Sequence, residues 1–575
     1  MSDPINPNPN QVPMSQWRST AVSAAVVGAV FGLAFTVILG VHFARWISLN
    51  HDEALKMTVL KQQLQTSDDV NDRIAAIRQV DLTIRQDTLR WFAFSRRSGL
   101  FLLISLAVFL AGLKVADLLR GPQPKRIMTL DRQGQQVRQA LYAAWSVTGI
   151  LILLGLAAVV AALQPITGPG QPEKVVAAAL PSAEQFAKNW YRFRGPEGAG
   201  ISPHTNIPTD WDGPSGKGVL WKTPVALPGH NSPIVWGDRV FVSGADKDRR
   251  QVYAVDLKTG QVLWTGDVPV VPREDLEIME ETGLAACTMA TDGVRVYVIF
   301  ATGDLAAFDL AGRRLWHKSL GLPDSAYGYA SSLEVFGGKI MVQYDQGQAE
   351  DNKSKVMAFD GASGRLAWER TRPVGGSWTS PIVAKVGSSH QLITVGNPWV
   401  IAYDPDSGEE IWKANVVGGD VAPSPICANG LALAIEPYSK LVAVRTDGKG
   451  DVTKSHLAWQ SDSGGPDICS PLSDGRYVYV LDTSGSLTVL NLSDGKLVYQ
   501  HTVEGSFKAS PSLVGQEIYL LSEKGTLVRV AAGPAFKELG RCELGDTCYA
   551  SPAFADGRMI LRGKGHLYCI GTSGN

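Results

Sequence analysis

The feature that most constrains the fold is a short pattern that recurs along the last two thirds of the chain. One copy, residues 470–499, contains four short apolar runs separated by Asp474-Gly475, Ser484-Gly485 and Asp494-Gly495. Such dipeptides tolerate the positive φ of tight hairpin turns, so this copy is predicted to be a four-stranded antiparallel meander. A unit of about thirty residues cannot bury both of its own faces, and it must therefore pack against other copies.

Eight copies of this pattern can be counted, most of them opened by a Ser-Pro dipeptide. Their spacing of about 40 to 56 residues is typical of the blades of a β-propeller. The last copy, 551–570, supplies three strands, whereas an unpaired strand at 218–221 precedes the first copy. We therefore predict an all-β, eight-bladed propeller whose N-terminal strand closes the last blade. The copies begin at Ser232, Thr288, Ser331, Ser380, Ser424, Ser470, Ser510 and Ser551.

Most copies end on an aromatic residue, in the pattern Ala-x-Asp-x-x-Thr-Gly-x-x-x-Trp that is clearest at 254–264. This pattern resembles that of the pyrroloquinoline-quinone (PQQ) repeat family, which includes eight-bladed quinoprotein dehydrogenases and the propeller lipoprotein of the outer-membrane β-barrel assembly machinery. The resemblance covers roughly residues 190–575, and it implies a fold without fixing a function. We predict that the recurrent aromatic residues pack structurally between blades. They are Trp221, Trp264, Trp316, Trp368, Trp412, Trp459 and Tyr499.

Charge and cysteine content exclude two classes of function, nucleic-acid binding and covalent haem attachment. The formal net charge is −1 and 19% of the residues are charged, so no nucleic-acid partner is expected. The six cysteines form neither a Cys-x-x-Cys pair nor the Cys-x-x-Cys-His motif of covalent haem. Cys542 and Cys548 are close in sequence, and they are either bridged in an oxidising compartment or two buried thiols.

The N-terminal third has the composition of a membrane anchor. A polar tail at 1–18 is followed by three apolar stretches, at about 20–43, 98–118 and 141–163. Stretches of this length predict transmembrane helices, so an anchor at 19–163 with three spans is expected.

The segments between these stretches indicate how the chain is oriented. Residues 51–97 have helical apolar spacing, which predicts a helical hairpin that contacts a partner, a second copy or itself. The loop at 114–138 has six basic residues, a higher density than the nine at 45–97, and is therefore expected in the cytoplasm. A linker at 164–189 then leads to the propeller at 190–575, which we predict on the periplasmic side of the inner membrane.

Two functions compete for the propeller. A quinoprotein dehydrogenase needs a quinone in the central funnel, a Ca²⁺ ion with oxygen ligands and an acidic base. The resembled dehydrogenases imply adjacent disulfide-bonded cysteines as well, and this chain has no Cys-Cys pair. We therefore predict a non-catalytic interaction or scaffold module that needs no cofactor and binds an envelope protein. A PQQ-dependent dehydrogenase or a propeller that binds a small ligand is the alternative.

The longest connections between strands predict where a partner binds. Connections from the fourth strand to the next blade, and from the second strand to the third, emerge on one face of a propeller. The loops at 265–287, 245–250 and 345–354 are long, and all three belong to this face. They are either a docking surface or insertions tolerated in solvent. Their acidic side chains match no metal-ligand spacing, and no metal site is predicted. The candidate interaction residues are Glu274, Asp275, Glu277, Glu280, Glu281, Asp345 and Gln346.

Overall fold

The computed structural model describes nearly all of the propeller region and two short parts of the N-terminal third. The described residues are 18–34, 36, 102–118, 180–270 and 277–572. The chain divides into two compact units, Met1–Val175 and Val176–Asn575. The predicted helical hairpin at 51–97 and the predicted span at 141–163 lie outside the described residues.

Two helices are described in the first unit, at 18–34 and 102–118. They approach closely through glycine: a Cβ on Gly28 would lie 2.6 Å from the backbone nitrogen of Phe109, and one on Gly112 would lie 2.8 Å from the carbonyl oxygen of Ala21. Among the described residues, no helix is long and apolar enough to cross a membrane. The three-span anchor stays a prediction.

The second unit is an eight-bladed β-propeller, as the repeat predicts. It begins with a short helix, Ala183–Lys188, whose N-cap Ser182 forms a capping box with Gln185. Each of the first seven blades is an antiparallel meander in chain order, and blade 4 gains a fifth, parallel strand from the hairpin of blade 5. The eighth blade takes its outermost strand from the start of the unit.

The 33 strands of the described residues are numbered in chain order, from β1 at Val219–Pro224. Blade 1 has β2 (Ile234–Trp236), β3 (Arg239–Ala245), β4 (Arg250–Asp256) and β5 (Val262–Asp267); blade 2 has β6 (Ala290–Thr291), β7 (Arg295–Ile299), β8 (Asp304–Asp309) and β9 (Arg314–Ser319). Blade 3 has β10 (Glu334–Phe336), β11 (Lys339–Tyr344), β12 (Lys355–Asp360) and β13 (Leu366–Thr371); blade 4 has β14 (Ile382–Val386), β15 (Ser389–Gly396), β16 (Trp399–Tyr403) and β17 (Glu410–Asn415). Blade 5 has β18 (Ile426–Ala428), β19 (Leu431–Glu436), β20 (Lys440–Arg445) and β22 (Leu457–Ser461). The short strand β21 (Gly450–Asp451), which lies between β20 and β22 in the chain, belongs to the sheet of blade 4. Blade 6 has β23 (Leu472–Ser473), β24 (Tyr477–Leu481), β25 (Ser486–Asn491) and β26 (Leu497–Thr502). Blade 7 has β27 (Ser512–Val514), β28 (Glu517–Leu521), β29 (Thr526–Ala531) and β30 (Glu538–Glu543); blade 8 has β31 (Ala553–Ala555), β32 (Arg558–Arg562) and β33 (His566–Ile570).

The N-terminal strand closes the ring, as predicted from the orphan strand at 218–221. β1 pairs antiparallel with β33, with Trp221 opposite Cys569 and Thr223 opposite Leu567. This pairing covers the edge of the last blade, which would otherwise present unpaired backbone groups to another chain.

The Asp-x-x-Thr-Gly turn performs two functions between neighbouring blades. Asp256 Oδ1 accepts hydrogen bonds from the backbone N–H groups of Lys258 and Thr259, which shapes the turn. Gly260, at φ 72°, then receives the indole of Trp221, because a Cβ there would lie 2.6 Å from the ring. The Trp221 N–H donates to the carbonyl of Leu257 at 2.9 Å. Four further indoles repeat this bond to the next blade: Trp264 to Leu310, Trp316 to Gly361, Trp368 to Pro405 and Trp459 to Leu492.

Two members of the aromatic series depart from this geometry. Trp412 donates to the side-chain oxygen of Gln391 at 2.9 Å instead, and the amide nitrogen of Gln391 donates to the carbonyl of Thr446 in blade 5 at 3.0 Å. The hydroxyl of Tyr499 is buried without a hydrogen-bond partner in the described residues. Burial raises the pKa of Tyr499 to about 12.

Candidate functional site

The residue that opens each blade lies beside the propeller axis. The backbone N–H of Ser232 donates to Thr288 Oγ1 at 3.0 Å, and the N–H of Thr288 donates to Ser332 Oγ at 3.1 Å. The circle closes where the N–H of Ser551 donates to Ser232 Oγ at 3.0 Å. A short hydroxyl side chain is needed at every position, since the same group must reach the neighbouring backbone. The intermediate bonds link Ser332, Ser380, Ser424, Ser470, Ser510 and Ser551 in that order.

This hydroxyl ring was not anticipated from the sequence, although the recurring Ser-Pro dipeptide was its signal. In the sequence alone, the dipeptide indicates only the start of a blade. In blade 3 the ring residue is Ser332, one position after the predicted start at Ser331.

A segment before the first strand crosses the axis on one side of the hydroxyl ring. Arg192 is fully buried and pairs with Glu334 of blade 3 at 2.7 Å, while its Nη2 donates to the carbonyl of Pro381 in blade 4 at 2.8 Å. Arg194 reaches across to the carbonyl of Pro511 beside blade 7 at 3.3 Å. Burial lowers the pKa of Arg194 to about 9.

The backbone of this segment is also bonded to several blades. Val235 donates its N–H to the carbonyl of Trp190 at 2.8 Å, and Thr291 donates to Tyr191 at 2.9 Å. Leu513 of blade 7 donates to Gly200 at 2.8 Å. Residues 190–200 are therefore an integral part of the propeller, and we call them the axial segment.

On the other side of the hydroxyl ring lies a funnel of about 460 Å³. All eight ring residues line it, and Phe193 of the axial segment contributes to its floor. Each of the eight connections that lead into a first strand supplies part of the wall, and the β19–β20 turn of blade 5 adds a further part. A concave site of this size is the usual place for a ligand on such a scaffold.

One sector of the funnel wall combines aromatic rings with carboxylates. We call it the aromatic–acid sector, and it consists of Tyr327, Trp378, Asp420, Tyr438 and Asp467. The rings of Tyr327 and Trp378 meet edge to face, with centroids 5.0 Å apart. The hydroxyl of Tyr438 donates to Asp467 Oδ2 at 3.3 Å, and the negative charge of Asp467 raises the pKa of Tyr438.

The wall also carries a smaller basic sector, formed by Lys508, Tyr549 and His230. Lys508 Nζ lies 4.7 Å from the centroid of the Tyr549 ring, and the rings of His230 and Tyr549 are 4.8 Å apart. Burial lowers the pKa of His230 to about 4, and the nearby charges of Arg562 and Lys508 add to this effect. His230 is therefore neutral at pH 7, and Lys508 carries the charge of this sector.

The acidic loop predicted to contact a partner lies at the mouth of the funnel. Glu281 lines the funnel, and Glu277 and Glu280 are exposed on the same loop. Its backbone is anchored to the neighbouring connection, because Met279 donates its N–H to the carbonyl of Ala326 at 3.0 Å. The other two predicted residues of this loop, Glu274 and Asp275, lie outside the described residues.

The candidate residues of blade 3 have different surroundings. Asp345 is buried, pairs with Arg372 Nε at 2.8 Å and accepts a hydrogen bond from Ser377 at 2.7 Å. This corrects the prediction that Asp345 lies on the interaction surface, since no partner can reach its carboxylate. Gln346 accepts a hydrogen bond from the N–H of Asp324 at 3.0 Å and joins two connections of the funnel face.

The cysteine alternatives are resolved by the same structure. Cys542 and Cys548 are separate free thiols, and both are buried. Burial raises the pKa of Cys548 to about 12, so this thiol is held in its neutral form.

Comparison with known proteins identifies similar sequences and folds. A sequence model of the family described as "Outer membrane protein assembly factor BamB" matches residues 209–331, 352–453 and 451–534, which together are just over half of the chain.

Two curated relatives are alcohol dehydrogenases. "1-Butanol dehydrogenase (quinone)" of Thauera butanivorans is 26% identical over 158 residues, 24% of this chain and 24% of that protein. "Quinohemoprotein alcohol dehydrogenase ADH IIB" of Pseudomonas putida is 28% identical over 175 residues, 27% of this chain and 24% of that protein. The matches thus span about a quarter of the length of these relatives.

Among solved structures, the quinohemoprotein alcohol dehydrogenase from Comamonas testosteroni has a similar fold. Its TM-score is 0.52 at 15% identity, over 68% of this chain and 82% of that chain. Similarity at this level of identity shows a shared propeller fold.

The dehydrogenase relatives imply a quinone cofactor, and the funnel allows its fit to be tested. The flat rings of Trp378 and Tyr549 suit a planar ligand, but PQQ carries three carboxylates. Glu281, Asp420 and Asp467 line the same funnel, where Lys508 is the one lysine or arginine among the described lining residues. No group of three His, Cys, Asp or Glu side chains in the described part of the chain is placed to hold a metal ion. The described side chains therefore do not fit the charge of this cofactor.

Proposed function

This chain belongs to the PQQ-repeat propeller family described as outer membrane protein assembly factor BamB, and on that premise we propose that it is a non-catalytic interaction module of the cell envelope. A membrane anchor in its N-terminal third holds the propeller on the periplasmic side of the inner membrane. The funnel face of the propeller binds another envelope protein.

The observation that carries this proposal is the difference between the two ends of the propeller axis. The hydroxyl ring is covered on one side by the axial segment, whereas the other side opens into the funnel. The acidic loop and the loop of blade 3 extend the same open face. Loops held on a rigid scaffold lose little conformational entropy on binding, which suits a docking surface.

Site-specific photocrosslinking in cells tests the proposal. A photoreactive amino acid at Glu280, on the funnel face, is expected to crosslink the full-length chain to one envelope protein. The matched control is Asp494, which is exposed in the β25–β26 turn at the opposite end of the blades. Crosslinks from Asp494 alone, or none from either position, would contradict the proposal.

A second candidate function is PQQ-dependent alcohol oxidation, which the curated relatives favour. Titration of the purified full-length chain with PQQ, with and without Ca²⁺, decides between the two. We expect no Ca²⁺-dependent binding, because the funnel carboxylates repel the cofactor. Tight binding accompanied by dye reduction with an alcohol would replace the interaction module by a dehydrogenase.

A further inference from the structure

The aromatic–acid sector of the funnel has the chemistry of a receptor for organic cations. We propose that it binds a guanidinium or ammonium side chain, presented by a basic segment of a protein partner. This inference rests on the proposed function and specifies the kind of partner that the funnel face takes.

The carboxylates of the sector supply negative charge that their own hydrogen bonds do not neutralise. Asp467 accepts from the hydroxyls of Tyr438 and Thr483, and both donors are uncharged. Asp420 is exposed on the adjacent connection, which leads into blade 5. Two carboxylates on neighbouring connections thus face the same space, and a cationic group is their natural counterpart.

The aromatic rings of the sector are held in place and leave surface open to the funnel. Trp378 is half-buried; its indole N–H donates to Ser325 Oγ at 3.3 Å, and its backbone N–H donates to the carbonyl of Val421 at 3.0 Å. Tyr327 packs edge to face against it. The faces of such rings carry negative electrostatic potential and attract cations, most strongly where water is partly excluded.

Tyr438 is the most exposed large side chain of the sector, with 84% of its surface accessible. Its backbone lies in the left-handed region at φ 60°, which is unusual for a bulky residue and persists only where the surroundings hold it. The N–H of Tyr438 is held by the carbonyl of Gly465 at 2.7 Å. The strained turn thus presents a tyrosine ring at the mouth of the funnel, beside Asp467.

The size and the polarity of the funnel favour a peptide over a free small cation. At about 460 Å³ it is larger than one basic side chain requires. Lys508 lies in the basic sector, where its ammonium group can donate a hydrogen bond to a carboxylate or a backbone carbonyl of the same ligand. A segment with one cationic side chain and a nearby acceptor therefore matches both sectors.

Fluorescence anisotropy with the purified full-length chain tests this inference. The probe is a capped, labelled peptide with a central arginine, and the matched control peptide has citrulline, which has nearly the same shape and no charge. We expect the arginine peptide to bind at least tenfold more tightly and to dissociate as salt is raised. Asp467→Asn and Tyr438→Ala are each expected to weaken its binding about tenfold.

The control variant is Asp447→Asn, because this carboxylate is 76% exposed in the β20–β22 connection at the opposite end of the blades. It is expected to bind like wild type. Since Tyr438 is exposed, its replacement leaves the core intact, and an unchanged melting temperature confirms this. Equal affinity for the citrulline peptide would overturn the inference, as would loss of binding in Asp447→Asn alone.

Choline provides the remaining arm, since it carries the same kind of charge without a peptide. If choline competed with an affinity equal to that of the arginine peptide, the proposal that a protein partner supplies the cation would be overturned. Crosslinks from Glu280 without discrimination between the two peptides would overturn this inference and leave the interaction module standing. If the crosslinks from Glu280 and the discrimination between the two peptides were both absent, this inference and the proposed interaction module would both be overturned.

Discussion

At the scale of single residues, the propeller depends on glycines that receive an indole side chain from the preceding blade. Gly364 lies at φ 68°, and a Cβ there would be 2.7 Å from the indole of Trp316. Gly387 has a similar φ of 60°, with no atom within 4 Å of the same position. The two glycines therefore separate the cost of backbone strain from the cost of overpacking.

Gly364→Ala is expected to destabilise the chain more than Gly387→Ala. Both alanines suffer strain of about 1 kcal/mol at positive φ. Gly364→Ala additionally forces the indole of Trp316 to move, at a further cost of about 1 to 3 kcal/mol. Urea unfolding followed by tryptophan fluorescence measures the difference, and equal losses in the two variants would show that the indole contact contributes nothing.

The pKa of His230 predicts a loss of stability in mild acid. Because the folded pKa of about 4 lies below the ordinary value of 6.5, the unfolded chain takes up this proton first as the pH falls. Stability is therefore lost between pH 6.5 and 4, by about 2 kcal/mol at pH 5. Unfolding at pH 7 and pH 5 should show this loss in the wild type and a smaller one in His230→Gln. Identical losses would mean that other groups control the acid response.

At the scale of elements, ring closure relies on one strand far from its partner in the sequence. β1 contributes a buried Trp221, whose N–H bonds to blade 1 while its backbone pairs with blade 8. The acidic loop, in contrast, bonds to the neighbouring connection through Met279 and has exposed glutamates.

Deleting residues 218–222 is expected to destabilise the propeller far more than deleting 275–282. The first deletion removes a buried tryptophan, worth about 3 to 5 kcal/mol, together with strand pairing, and it leaves an open edge on blade 8. Among the described residues that it removes, 277–282, the second deletion takes away mainly exposed side chains. Thermal melts of the two full-length deletion variants decide this. A strand deletion that melts like wild type, together with a collapsed loop deletion, would contradict the closure argument.

At the scale of the whole molecule, the axial segment follows the predicted membrane anchor in chain order and precedes the first strand of the propeller. Arg192 and Arg194 bind it to carbonyls beside blades 4 and 7. The described residues just before β1 are therefore bonded to the propeller beside its axis.

Membrane topology provides the prediction at this scale. A reporter that is active only in the periplasm should be active when fused after Asn575 and inactive when fused after Arg126. The physical basis is the density of basic residues in the loop at 114–138, which favours the cytoplasm. The reverse pattern would contradict both the orientation and the envelope function.

The amino-acid sequence by itself determined the blade count and the closing strand. Both follow from local chemistry, because Asp-Gly turns and alternating apolar residues specify a meander without reference to distant residues. The same repeat predicts that the recurrent tryptophans pack between blades. In the structure, five of their indoles pack against glycines of the next blade: Gly260, Gly312, Gly364, Gly408 and Gly495.

Which residues come together in the candidate site is known only from the tertiary structure. The funnel residues come from separate blades, and nothing near Asp467 in the sequence indicates that Tyr327 and Trp378 share its space. Asp345 looks like a loop carboxylate until Arg372, 27 residues later, is folded against it. The hydroxyl ring exists only when the eighth blade meets the first, because its last bond joins residues 319 positions apart. Contacts of this kind join side chains that are distant in the sequence, and no local pattern encodes which of them meet.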